Sequence, residues 1–130
     1  MDRKTILCVD DDPVSLKLAR DVLQANGYET EEVTTGEEAV ARATELRPDL
    51  IVMDIRLPGI DGLEATSRLK NAASTAGIPV LAVTAHAMPE DEERILAAGC
   101  QAYLAKPLRF AELVSVVTGM LSDASDASVA

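Results

Sequence analysis

Five short apolar runs punctuate the chain, and a segment with helical spacing follows each of them. The first run, Thr5 to Val9, stops at Asp10, Asp11 and Asp12. Pro13 suits a first helical position with Asp12 as its N-cap. Leu18, Ala19, Val22 and Leu23 then share one helical face until Gly27 supplies a stop. Tyr28 to Val33 alternates and predicts a weaker strand near a sheet edge. Thr35-Gly36-Glu37-Glu38 has capping-box spacing, and the helix it opens must finish before Pro48. Leu50 to Met53 does not alternate, which predicts burial on both faces. That run ends at Asp54, before proline and glycine break the pattern. Asp61-Gly62-Leu63-Glu64 opens a third helix, expected to reach about Ala73 and give way to a turn over 74–77. A fourth strand, Pro79 to Val83, ends at Thr84. After a loop over 85–88, Pro89 starts a helix whose early acids Glu90, Asp91, Glu92 and Glu93 suit the helix dipole, and Gly99 closes it. Residues 102–105 form a short fifth strand ending at Lys106-Pro107. The last helix runs from about Phe110 to Leu121, with a disordered tail over 122–130.

Five strand-then-helix repeats imply one α/β domain over residues 1–121, a parallel sheet with helices on both faces. Such sheets bind ligands just beyond the carboxyl ends of their strands. Asp10 and Asp11 follow the first strand, Asp54 the third, Thr84 the fourth and Lys106 the fifth, so all should converge on one rim. Clustered carboxylates must hold protons at raised pKa or recruit a cation. An all-oxygen site suits magnesium, with manganese as a substitute of the same ligand class. Asp54 can then act as a nucleophile toward phosphorus, with Lys106 as a point charge and Thr84 as a hydroxyl donor for the phosphoryl oxygens. Each residue also has a plainer reading: helix caps for the aspartates, a turn start for Asp54, strand preference for Thr84, a solvated loop lysine for Lys106.

The chain has 130 residues, enough for one domain, and 48% of them are hydrophobic. No apolar stretch approaches the roughly 20 residues of a membrane span. The N-terminus lacks the apolar core and cleavage site of a secretory signal, so the cytoplasm is expected. A net charge of −10 argues against direct binding to nucleic acid or anionic lipid. Cys8 and Cys100 lack metal-ligand spacing and sit beside apolar neighbours, which predicts buried, reduced thiols.

CVDDD after the first strand, MDIRLPGIDG around Asp54, VTA at 83–85 and the Lys106-Pro107 pair together resemble the receiver domain of two-component response regulators. The resemblance covers residues 4–121, and GYETEEV, IPVLAVTAHAM and DEERILAAGC make the chain similar to stand-alone receivers of the DivK cell-division type. It implies a flavodoxin-like (βα)5 fold with strand order 2-1-3-4-5. It also implies that Asp54 is the phosphorylated aspartate, Asp11 a direct metal ligand, Asp10 its partner, and the main-chain carbonyl of Arg56 the remaining protein ligand. Thr84 and Lys106 match the phosphoryl-sensing pair, Tyr103 the aromatic that follows the threonine inward, and Pro107 a proline preceded by a cis peptide. Arg56 and His86 match variable flanking positions that tune phosphoryl turnover. The implied partners are a histidine kinase or histidine phosphotransfer protein, docking near Val14, Ser15 and Leu18, and a downstream protein. The latter would read a switched face made of the fourth helix, fifth strand and fifth helix. A monomer or weak dimer is expected, catalysing only its own phosphotransfer and dephosphorylation.

Two rivals come from other classes. A haloacid-dehalogenase-type phosphatase shares an aspartate nucleophile, threonine and lysine, yet carries a second aspartate two residues after the nucleophile, where this chain has Arg56. A phosphorylation-independent interaction module needs no such constellation at all.

Overall fold

The computed structural model describes residues 3–85 and 89–129, except for the side chains of residue 89 and of residues 123–129. Five strands, β1 (Thr5–Val9), β2 (Glu29–Val33), β3 (Leu50–Asp54), β4 (Val80–Thr84) and β5 (Ala102–Ala105), alternate with five helices. These are α1 (Pro13–Ala25), α2 (Gly36–Leu46), α3 (Gly62–Lys70), α4 (Pro89–Ala98) and α5 (Phe110–Val129). The strands form one sheet in the order β2-β1-β3-β4-β5, with every adjacent pair parallel.

Strand composition explains that order. β3 and β4 are buried at every position and lie inside the sheet, while β2, rich in glutamate and threonine, takes one edge. Side chains alternate between two apolar layers, as a pleated strand requires. Leu7 and Val9 of β1 enter a cluster with Ala39, Ala43, Ala65, Leu69 and Ile95, beneath α2, α3 and α4. Ile6 and Cys8 enter the opposite cluster with Leu16, Ala19, Leu23, Leu113 and Val117, beneath α1 and α5. Both thiols are free and buried.

Local capping follows the expected residues. The Asp12 carboxylate accepts from the Val14 amide at 3.0 Å, Thr35 accepts from the Glu38 amide at 3.1 Å, and Asp61 accepts from the Glu64 amide at 2.8 Å. Gly27 and Gly99 take φ values of 91° and 109° just past the ends of α1 and α4, where a side chain would be strained.

Two helix ends differ from expectation. α3 stops at Lys70, not Ala73, where the Leu69 carbonyl accepts from the Thr75 hydroxyl at 2.6 Å and from the Ala72 amide at 3.3 Å in place of an i+4 amide. α5 continues past Leu121, and the backbone is helical through Val129 where a disordered tail was expected from residue 122. No glycine or proline interrupts SDASDASV to stop it.

Candidate functional site

The strand register assembles the site. Val9 pairs with Met53, so Asp10 and Asp54 stand level at the carboxyl ends of neighbouring strands and project to the same side. The ladder continues past each strand end: Asp10 N donates to Val33 O at 3.2 Å, Ile55 N to Val83 O at 3.0 Å and Lys106 N to Thr84 O at 2.8 Å. Each rim residue is therefore held by its neighbour's backbone. Asp10 (7% exposed), Asp54 (4%) and Thr84 (4%) are buried polar residues at this rim, while Asp11 faces solvent.

One carboxylate oxygen from each of Asp10, Asp11 and Asp54 lies within 4.8 Å of the others. Lys106 Nζ bridges two of them, donating to Asp10 Oδ2 at 3.0 Å and Asp54 Oδ2 at 3.2 Å. The remaining oxygens are positioned by backbone amides, Asp12 N to Asp10 Oδ1 at 2.9 Å and Arg56 N to Asp54 Oδ1 at 3.2 Å. The peptide between Lys106 and Pro107 is cis. Asp12 stays outside the cluster; its pKa is lowered by the Val14 amide and the Ser15 hydroxyl that its cap engages.

Electrostatics favour an added cation. Burial, then the adjacent Asp10 charge, push the Asp54 pKa up to about 6, and Lys106 offsets this only in part. Burial works against the Lys106 charge as well, yet its contacts with Asp10 and Asp54 outweigh it and raise the pKa. A single ammonium thus leaves this carboxylate cluster short of positive charge. The donor set is all oxygen, partly solvated and anionic, which fits a hard divalent cation such as magnesium.

Beside the cluster lies a cleft of about 560 Å³, lined by Asp11, Arg56, Thr84, Asp61, Asp91 and Arg94 among others. Sequence alone does not mark Asp61, Asp91 and Arg94 as its walls, because nothing local distinguishes them from caps and helix-surface charges. Sequence alone gives Gly62 only a place in a helix start. A Cβ there would lie 2.1 Å from the Asp54 carbonyl oxygen, so this glycine lets α3 close over the strand that carries Asp54. Glycine at a first helical position, against its propensity, was the available signal. Tyr103 is half-buried against the layer beneath α4, and hydrogen bonding to Glu92 raises its pKa. His86 lies outside the described residues. Arg56 is exposed at the mouth of the cleft, and so is Val14 at the start of α1.

A doubly covered parallel sheet with an acidic trio, a threonine and a lysine at one rim defines a receiver, and the chain belongs to the response regulator receiver domain family, matched over residues 6–118. It is a DivK-like member. The polar-differentiation response regulator DivK of Brucella anthropi is 46% identical over 121 residues, covering 93% of this chain and 98% of the relative. Among solved structures, a CheY-like receiver domain protein from Methanospirillum hungatei superposes with a TM-score of 0.89 at 30% identity, covering 96% of this chain and 98% of the other. The receiver domain of the sensor histidine kinase PA1611 from Pseudomonas aeruginosa, described with magnesium coordinated in its active site cleft, gives a TM-score of 0.87 at 36% identity. That alignment covers 93% of this chain and 99% of the other. These relatives are signalling regulators, so the phosphatase alternative is not favoured. Among the described residues no helix is long and apolar enough to cross a membrane.

Proposed function

We propose that this receiver takes a phosphoryl group onto Asp54 from the phosphohistidine of a histidine kinase or phosphotransfer protein, and relays the signal by changing protein partners. The observation that carries this reading is the Lys106 bridge to Asp10 and Asp54 within a three-carboxylate cluster. Asp10, Asp11, Asp54 and the Arg56 carbonyl would hold magnesium, or manganese in its place. When bound, the cation supplies positive charge against the phosphoryl oxygens.

Asp54 attacks phosphorus through one carboxylate oxygen, a new O–P bond forms, and the P–N bond to the donor imidazole breaks. The imidazole nitrogen keeps the electron pair and takes up a proton from solvent water. Lys106, already 3.2 Å from Asp54, needs only to exchange a carboxylate oxygen for a phosphoryl oxygen. Thr84 donates to a second oxygen, and Tyr103 exchanges its Glu92 contact for the space that Thr84 vacates. That exchange biases α4, β5 and α5 toward a partner-binding arrangement already populated in part. The exposed Val14, with Ser15 and Leu18, is the donor-docking edge on α1. Arg56 and His86 tune how fast water removes the phosphoryl group, the chain catalysing only its own transfer and dephosphorylation. A cytoplasmic location and a monomer or weak dimer complete the reading.

Asp54→Asn is the test. Parent protein with acetyl phosphate and magnesium should gain one phosphoryl group by intact mass, and the variant none. Equal labelling of the two would overturn the assignment.

A further inference from the structure

Gly36, the first residue of α2, is buried against the loop that follows Asp54. A Cβ at this position would stand 2.6 Å from Ile60 Cγ1 and 2.7 Å from the Ile60 carbonyl oxygen. The next residue reaches the same turn. Glu37 Oε2 accepts from the Ile60 amide at 3.4 Å, and a Cβ on Gly59, whose φ is +74°, would lie 2.7 Å from that oxygen. At its far end the loop is tied to β3, where the Gly62 amide donates to Ile55 O at 2.8 Å.

The loop over 55–61 is therefore pinned at one end by the strand carrying Asp54 and at its tip by the first turn of α2. Pro58 and Gly59 are exposed, so the tip draws little support from burial. α2, by contrast, is anchored by Ala39 and Ala43, both fully buried beneath the sheet. Between the two pins sits Arg56, with its amide on Asp54 Oδ1.

We infer that the first turn of α2 is a clamp that fixes where the Arg56 carbonyl is presented to the cation site, with Gly36 and Glu37 as positioning residues. This rests on the reading of that carbonyl as a metal ligand. Neither residue belongs to the acidic trio; both act through the loop. Support of this kind governs metal affinity because a ligand displaced by a fraction of an ångström coordinates poorly.

Gly36→Ala tests the clamp, since alanine is the better helix former and α2 itself loses nothing. Isothermal titration should show magnesium affinity about tenfold weaker than in the parent, as loss of outer support costs other metal sites. Amide exchange over 55–61 in metal-free protein should accelerate while β1 and β2 keep their protection. Adding Ile60→Ala, which removes the side-chain half of the collision, should recover part of both effects. Glu37→Ala removes a pin without adding atoms; it should move both readouts the same way by less, and it decides the matter if Gly36→Ala does not fold. Parental magnesium affinity and parental loop exchange in these variants would overturn the inference. A parent that binds no magnesium would overturn the ligand reading instead, and loop exchange in the variants would then judge the clamp alone.

Discussion

Asp54 is strained electrostatically in the folded chain. Its pKa, raised from 3.8 to about 6 by burial and then by Asp10, means that the folded chain binds this proton more tightly than the unfolded chain does. The sign follows from that difference: ionisation of Asp54 opposes folding in full above about pH 6, and the penalty fades as pH falls toward 4. The shift corresponds to roughly 2–3 kcal/mol. Urea denaturation without magnesium should find Asp54→Asn more stable than the parent by about that amount at pH 7.5. Near pH 4 the advantage should vanish; one that persists undiminished would rule out this carboxylate as its source. A charge held at such cost fits the proposed role of Asp54, in which a cation and a phosphoryl group would use it.

At the scale of elements, the approach of α3 to β3 depends on a missing side chain. With the Asp54 carbonyl oxygen 2.1 Å from where a Cβ on Gly62 would stand, and backbone on the other side of the contact, no rotamer change can relieve a methyl group there. Gly62→Ala should therefore cost about 3 kcal/mol or more in denaturant stability, in the range of severe overpacking, and should displace the loop over 55–61. A loss under about 0.5 kcal/mol would show that the helix start moves freely. Such contacts mark where sequence reading runs out. Asp54, Thr84 and Lys106 were legible because each ends an apolar run, and strand ends in a parallel sheet share one rim. The seat of Gly36 against Ile60 was not legible, because it joins the start of one helix to a loop more than twenty residues away, with no periodicity to signal it. The early stop of α3 was hidden similarly, since Thr75 caps it from beyond the helix.

Across the whole molecule, the sheet separates two apolar layers whose membership the alternation of β1 already encodes, one beneath α2, α3 and α4 and the other beneath α1 and α5. The rim that joins them holds the acidic trio of Asp10, Asp11 and Asp54, three of the 22 acidic side chains in the chain. The apolar runs of β3 and β4 told of inner strands, whereas the full order β2-β1-β3-β4-β5 was implied by the family resemblance and not by burial. Cys8 lies in one layer and Cys100 in the other, each at most 4% exposed, and burial lifts the Cys8 thiol to about 12. At neutral pH neither sulfur is an available nucleophile while the layers hold. Alkylation by iodoacetamide should accordingly wait on global opening, and its rate across a denaturant series should track the unfolded fraction. The chain thus carries, on opposite sides of its sheet, two silent chemical clocks that start together only when both halves come apart.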